Sequence, residues 1–207
     1  LEQYENNGHS IDKSKLIIMG GTFPFQDPDY QKEFIKRAFD GFNSYPEKDE
    51  IQDTSEFDGS DSLEEAKKIN ETAEVRNVGI TFETRPDIAE TKHIDRILEM
   101  GGTRVEMGVQ TVFDETHEKT NRGHGMEPVI EATKRLKNAG FKVAYHLMLG
   151  LPGEGYEEDI EKFKEVFSNE DYQPDEIKIY PCEVIQGTEL YRQYEEGEFD
   201  PITDEEA

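Results

Sequence analysis

The chain has 207 residues, enough to bury a sizeable core in what is most simply one domain, and its 33% hydrophobic and 34% charged residues describe a polar chain that still has well-defined apolar runs. Lysine and arginine number 23 against 48 aspartates and glutamates, a formal net charge of −25, and such a field repels phosphate backbones and argues against a free nucleic-acid binder. One cysteine, Cys182, excludes a disulfide framework or a cysteine metal site built from this chain alone, and no apolar run approaches the roughly 18 residues needed to cross a membrane.

The acidity reads as a solvated surface of the kind carried by proteins working at high salt, so any basic binding surface is a local pocket. The amino end is neither basic nor apolar, which predicts a cytoplasmic protein, and an opening on Leu1 suggests processing or a piece of something longer.

Residues 1 to 15 are polar, with Gly8 and Asp12 as breakers. Residues 16 to 19 read as a buried strand, closed by the tight turn Gly20-Gly21-Thr22, where two glycines let a ligand approach the backbone. Asp27-Pro28 starts a helix, with Phe34, Ile35, Ala38, Phe39 and Phe42 at helical spacing. Residues 43 to 61 are acidic and read as a flexible insertion; Ser62 with Glu65 then forms a capping box that opens a helix to about Ala73.

A second strand covers residues 78 to 83, and Ile94, Ile97 and Leu98 mark a helix that ends at Gly101-Gly102. The third strand, 104 to 110, leads into the polar loop T-N-R-G-H-G, and Pro128 starts a helix with Val129, Ala132, Thr133, Leu136 and Ala139 on one side. A fourth strand at 143 to 149 passes into G-L-P-G-E-G, after which Tyr156, Ile160, Phe163 and Phe167 define the next amphipathic helix. The last strand is 177 to 180, and Thr188 opens an acidic terminal helix. Five strands alternating with helices argue for an α/β fold with parallel strands, and an open sheet and a partial barrel fit this rhythm equally well.

Both architectures put a site at the carboxyl ends of the strands. Collected there are Gly20, Gly21 and Thr22; Glu83 and Arg85; Gln110; His146; and Lys178 with Tyr180, joined by Arg122 and His124 from a loop. That is more polar chemistry than turns require, and its mix of carboxylate, amide, guanidinium and imidazole suits an amino-acid or nucleotide ligand. No Walker loop and no G-x-G-x-x-G follows a strand. Arg104 and Glu106 share a face and read equally as a site or as an ion pair, and His124 as a ligand or as a solvated side chain. His9, His93 and His117 are expected at the surface, and Cys182 as a packed thiol.

The words G-G-T-F-P, G-I-T-F-E-T-R-P-D, T-R-V-E-M-G-V-Q, T-N-R-G-H and K-I-Y-P, in this order, resemble the radical S-adenosylmethionine domain of the Elongator catalytic-subunit family. The resemblance covers residues 8 to 199. It implies a partial parallel (βα)6 barrel of the radical S-adenosylmethionine type, lacking its first βα unit, in a single core domain of residues 1 to 207. It further implies a 4Fe-4S cluster whose ligands lie outside this chain, so that no metal site is expected here, and reductive cleavage of S-adenosylmethionine to a 5′-deoxyadenosyl radical. Acetyl-CoA is the implied co-substrate, a carboxymethyl-type group on C5 of wobble uridine 34 of tRNA the implied product, and an acetyltransferase domain is implied beyond Ala207.

Carried over by position, Gly20, Gly21 and Thr22 would hold the methionine amino group, and Glu83, Gln110, Arg122 and His146 the ribose and carboxylate. Arg104, Glu106, Lys178 and Tyr180 would be catalytic, and Arg76, Arg85, Asn121 and His124 would bind substrate. Arg76 stands where the family often has a lysine, which alters the geometry of that contact. Implied partners are tRNA and either a second copy of the chain or Elongator-type subunits, with no membrane. Shorter motifs also resemble oxygen-independent coproporphyrinogen oxidase, and a non-catalytic barrel that binds tRNA or a partner is the third reading.

Overall fold

In a computed structural model, residues 1–45 and 59–203 are described, so most of the acidic insertion expected at 43 to 61 lies outside the described residues. Each apolar run expected as a strand is one: β1 (Lys13–Ile18), β2 (Arg76–Thr84), β3 (Gly102–Gln110), β4 (Lys142–Leu149) and β5 (Glu176–Pro181). They form one sheet whose order follows the chain, β1-β2-β3-β4-β5. β1 pairs with β2 and β4 with β5 in parallel register, with Ile18 opposite Phe82 at one edge and Leu149 opposite Pro181 at the other. The α/β parallel expectation therefore holds. Val105 to Val109 and Val143 to Leu147 are buried without interruption, as parallel strands covered on both faces require.

The chain divides into two compact units. The first comprises Leu1–Glu83 and Lys92–Arg104. Its helices are α1 (Glu2–Asn6), α2 (Pro28–Asn43), α3 (Leu63–Asn70) and α4 (Thr91–Glu99). Asp27 caps α2 by accepting the Asp29 and Tyr30 amides at 3.0 and 3.2 Å, and Ser62 caps α3 through the Glu65 amide at 3.1 Å. Glu65 reaches back to the Asp61 amide at 2.7 Å, completing a box one residue wider than the usual one. Ile35, Phe39, Ile80, Phe82, Ile94 and Ile97 fill the core, each side chain contributing about 1.5–3 kcal/mol by leaving water. Phe34 and Leu98, expected on the buried faces, are exposed. α1 has no buried residue, so no apolar stripe announced it. His93, expected at the surface, is buried with Nδ1 2.7 Å from the Pro24 carbonyl, a partner distant in sequence.

The second unit comprises Thr84–Thr91 and Val105–Ala207, with helices α5 (Asp114–Lys119), α6 (Met126–Asn138), α7 (Tyr156–Ser168) and α8 (Glu189–Glu195). α6 buries Val129, Ala132, Thr133 and Leu136 as its spacing predicts. It starts two residues before Pro128, because the Asp114 carboxylate accepts the Met126 amide at 2.7 Å. Thr188 caps α8 through the Tyr191 amide at 3.2 Å. The register of α7 departs from expectation: Tyr156 is 62% and Phe167 64% exposed, Ile160 is exposed too, and the buried residues are Asp159, Lys162 and Val166. The cause is electrostatic, since the Lys162 ammonium sits between two carboxylates that only that face can reach. Cys182 is packed with Leu151 and Phe199, as expected. His117 is buried against expectation, its Nε2 3.2 Å from the Thr111 carbonyl.

Candidate functional site

In the first unit, β1 ends in Gly20 and Gly21, with φ of 88° and 56°, a left-handed backbone where a Cβ would meet nothing within 4 Å. The turn is thus open above its own backbone, and only glycine adopts it without strain. The Gly20 amide donates to Glu83 Oε2 at 3.2 Å, which links the turn to the carboxyl end of β2. Thr22 follows and its carbonyl accepts the Phe25 amide at 2.8 Å. Arg104 Nε donates to Thr81 Oγ1 at 3.0 Å. Arg76 is exposed at the first residue of β2, seven residues from Glu83 and therefore roughly 23 Å along the strand. It is not brought to the end of β2 where Glu83 stands.

The second unit assembles two clusters. In one, Glu106 is fully buried on β3 and its Oε2 lies 2.5 Å from Lys178 Nζ of β5 and 2.9 Å from His146 Nε2 of β4. The His146 and Tyr180 rings meet edge-on with centroids 5.4 Å apart. Adjacent parallel strands deliver these four side chains, and Glu106 forms an ion pair with Lys178 here. A shielded carboxylate holding both an ammonium and an imidazole can fix their orientation and pass hydrogen bonds between them.

In the other cluster, Arg122 Nη2 donates to the Gly108 carbonyl at 2.7 Å and Arg122 Nε to His124 Nε2 at 3.2 Å. A Cβ at residue 108 would come within 2.6 Å of Arg122 Nη2, which explains the glycine within β3. Burial, then the nearby Arg85 charge, pulls the Arg122 pKa down. Burial likewise lowers His117 and His124, whose rings stand 5.1 Å apart, so both favour the neutral form. Arg85 makes two bonds of 2.9 Å to Asp87, which raises its pKa, and so binds within its own segment. Asn121 and His124 line a cavity of about 660 Å³ together with Asp114 and His117.

Gln110 ends β3 with φ 71°, a strained conformation for a residue with a side chain. Its Oε1 is buried with no hydrogen-bond partner. Strain and an orphaned acceptor on one residue at a strand end are marks of a ligand site, because a merely structural amide is satisfied. Of the residues expected at strand ends, Gln110 closes β3 and Tyr180 lies one residue from the end of β5, whereas His146 and Lys178, like Glu106, lie within their strands. Sequence reasoning missed Thr111, Glu154, Asp159 and Lys162, for which the available signal was a lysine and an aspartate three apart on one face of a helix.

Residues 1–166 match the model of the Radical SAM superfamily, and residues 174–207 that of the Radical_SAM C-terminal domain. A tRNA uridine(34) acetyltransferase of Methanocaldococcus infernus is 50% identical over 207 residues, covering 100% of this chain and 36% of its own length. Elongator complex protein 3 of Homo sapiens is 39% identical over 199 residues, 96% of this chain and 34% of its own length. Among solved structures, the archaeal Methanocaldococcus infernus Elp3 with an N-terminal deletion superposes with a TM-score of 0.91 at 50% identity, covering 100% of this chain and 45% of that one. The chain thus spans about a third of the length of these two relatives. With its model matched over most of the chain, this protein belongs to the Radical SAM superfamily.

Proposed function

We propose that this chain is the radical S-adenosylmethionine portion of a tRNA uridine(34) acetyltransferase of the Elongator type. The observation that carries the reading is 50% identity to such a protein over all 207 residues. S-adenosylmethionine supplies the radical-forming group of this chemistry, acetyl-CoA the two-carbon unit, and C5 of uridine 34 in tRNA is the acceptor. The open turn at Gly20, Gly21 and Thr22 suits the methionine amino group, with Glu83 as a further acceptor in that unit. The unpartnered Gln110 Oε1 suits a ribose hydroxyl, and Arg122, half-buried and cationic, a carboxylate. His146, held by Glu106, keeps a fixed ring orientation beside Tyr180 within the second unit. Lys178 and Tyr180 are the groups we assign to the reaction itself, with Arg104 and Glu106 holding charge nearby within their respective units. Arg76, Arg85, Asn121 and His124 are assigned to substrate.

The residues of this chain do not fit a 4Fe-4S cluster: Cys182 is its only cysteine, and burial pushes the thiol pKa up, away from the thiolate that iron requires. The cluster is therefore assigned to ligands outside this chain. A net charge of −25 assigns most phosphate contacts to other parts of the parent protein as well. Partner subunits or a second copy, and a cytoplasmic setting, belong to the same reading; among the described residues no helix is long and apolar enough to cross a membrane.

The test uses the full-length protein, anaerobically reconstituted, with S-adenosylmethionine, acetyl-CoA and tRNA, and mass spectrometry of uridine 34. The expected result is a carboxymethyl-type product that Gln110→Ala reduces by about tenfold or more, through weaker S-adenosylmethionine binding. An unmodified uridine 34 with wild-type protein would remove the proposal.

A further inference from the structure

Lys162 lies on α7 with its side chain wholly shielded from solvent. Its Nζ donates to Asp159 Oδ1 at 2.7 Å and to the Met148 carbonyl, and it forms an ion pair with Glu154 Oε2 at 2.6 Å, an oxygen that has no hydrogen-bond donor of its own. Each carboxylate is tied onward by its other oxygen. Glu154 Oε1 accepts from Thr111 Oγ1 at 2.5 Å, and Asp159 Oδ2 accepts the Gly150 amide at 2.9 Å. One ammonium therefore joins the end of β4, both ends of the loop between Gly150 and Gly155, and the residue that follows β3. That residue is the neighbour of Gln110, whose strained φ and orphaned Oε1 mark the proposed cofactor contact.

A buried ion cluster of this kind is a weak way to gain stability, since apolar side chains of similar volume do as well or better. Its distinctive property is direction: charge-assisted hydrogen bonds hold atoms at set positions. We infer that Lys162 is a positioning residue for S-adenosylmethionine, holding Gln110 through Glu154 and Thr111 and fixing the Gly150–Gly155 loop through Asp159. The inference rests on the cofactor assignment made above.

Calorimetric titration of S-adenosylmethionine into the full-length protein, with the unfolding midpoint recorded in parallel, tests it. Absence of binding by wild-type protein removes the cofactor assignment, and this inference with it. Where wild type binds, Lys162→Met is expected to raise Kd on the order of tenfold. Thr111→Val, close in shape but depriving the Glu154 carboxylate of its hydroxyl donor, is expected to raise Kd about fivefold in a protein that still unfolds cooperatively, with a lowered midpoint. A purely structural cluster would leave Kd alone. Wild-type affinity in folded Thr111→Val overturns the inference, whether or not Lys162→Met folds.

Discussion

α6 and α7 are both 13 residues long, belong to the same unit and follow the same plan, yet they bury different chemistry. α6 buries Val129, Ala132, Thr133 and Leu136, the stripe its spacing announces. α7 turns Tyr156, Ile160 and Phe167 outward and buries Asp159, Lys162 and Val166. Apolar periodicity chooses a helix's buried face only when dispersion and desolvation dominate the choice. An ammonium with two carboxylate partners within 2.7 Å outweighs three exposed apolar side chains on this helix.

The sharpest way to break this comparison is to remove the two anchors in turn. Lys162→Met strands two carboxylates and is expected to cost about 3–5 kcal/mol in chemical unfolding. Leu136→Ala, which opens a cavity under α6, is expected to cost about 2–5 kcal/mol. A near-neutral Lys162→Met would show that α7 is held by Val166 and backbone contacts instead.

A smaller effect is expected where α6 does use charge. Asp175 accepts from Lys137 at 2.8 Å, Lys142 at 3.0 Å and the Val143 amide at 2.8 Å. Burial raises its pKa, but these three partners together outweigh burial and hold the carboxyl below its usual range. The stabilisation is accordingly present above an unfolded-state value near 3.8 and lost as pH falls through the lower folded value. Asp175→Asn should be less stable by no more than about 1 kcal/mol at neutral pH, because water screens the pair, and the gap should close on acid titration. A gap that persists at the acid end would count against the ion pairs as its source.

The smallest effect is expected on the outward face of α7. Phe167→Ser should change stability by less than about 0.5 kcal/mol, measured in the same unfolding experiment. A larger loss would mean that this ring is covered, and that the helix has two buried faces.

β3 and β4 were legible because the central strands of a parallel sheet demand apolar runs, β1 and β5 only from short apolar segments beside turn residues; Glu83 and Gln110 stand near strand ends as topology requires, while His146 and Lys178 lie within β4 and β5. The short helices α1 and α5 were not legible, since neither carries an apolar stripe. His93 and His117 sit among polar neighbours in sequence, and only folding brings the carbonyls of Pro24 and Thr111 to their rings. Lys162 was hidden for the same reason: its partner Glu154 precedes the helix in a loop, outside any helical spacing. Gln110 was legible as the end of a strand, but its strain was not, because φ is a property of the folded backbone.

Cys182, packed beside Leu151 and Phe199, gives this protein a built-in clock. Being the one thiol in the chain, it can be alkylated only while that small cluster is open, so the labelling rate divided by the rate for a free thiol yields the open fraction directly. The quantity reports how tightly the segment from residue 174 onward is fastened to the loop at Gly150, where Ile202 also rests.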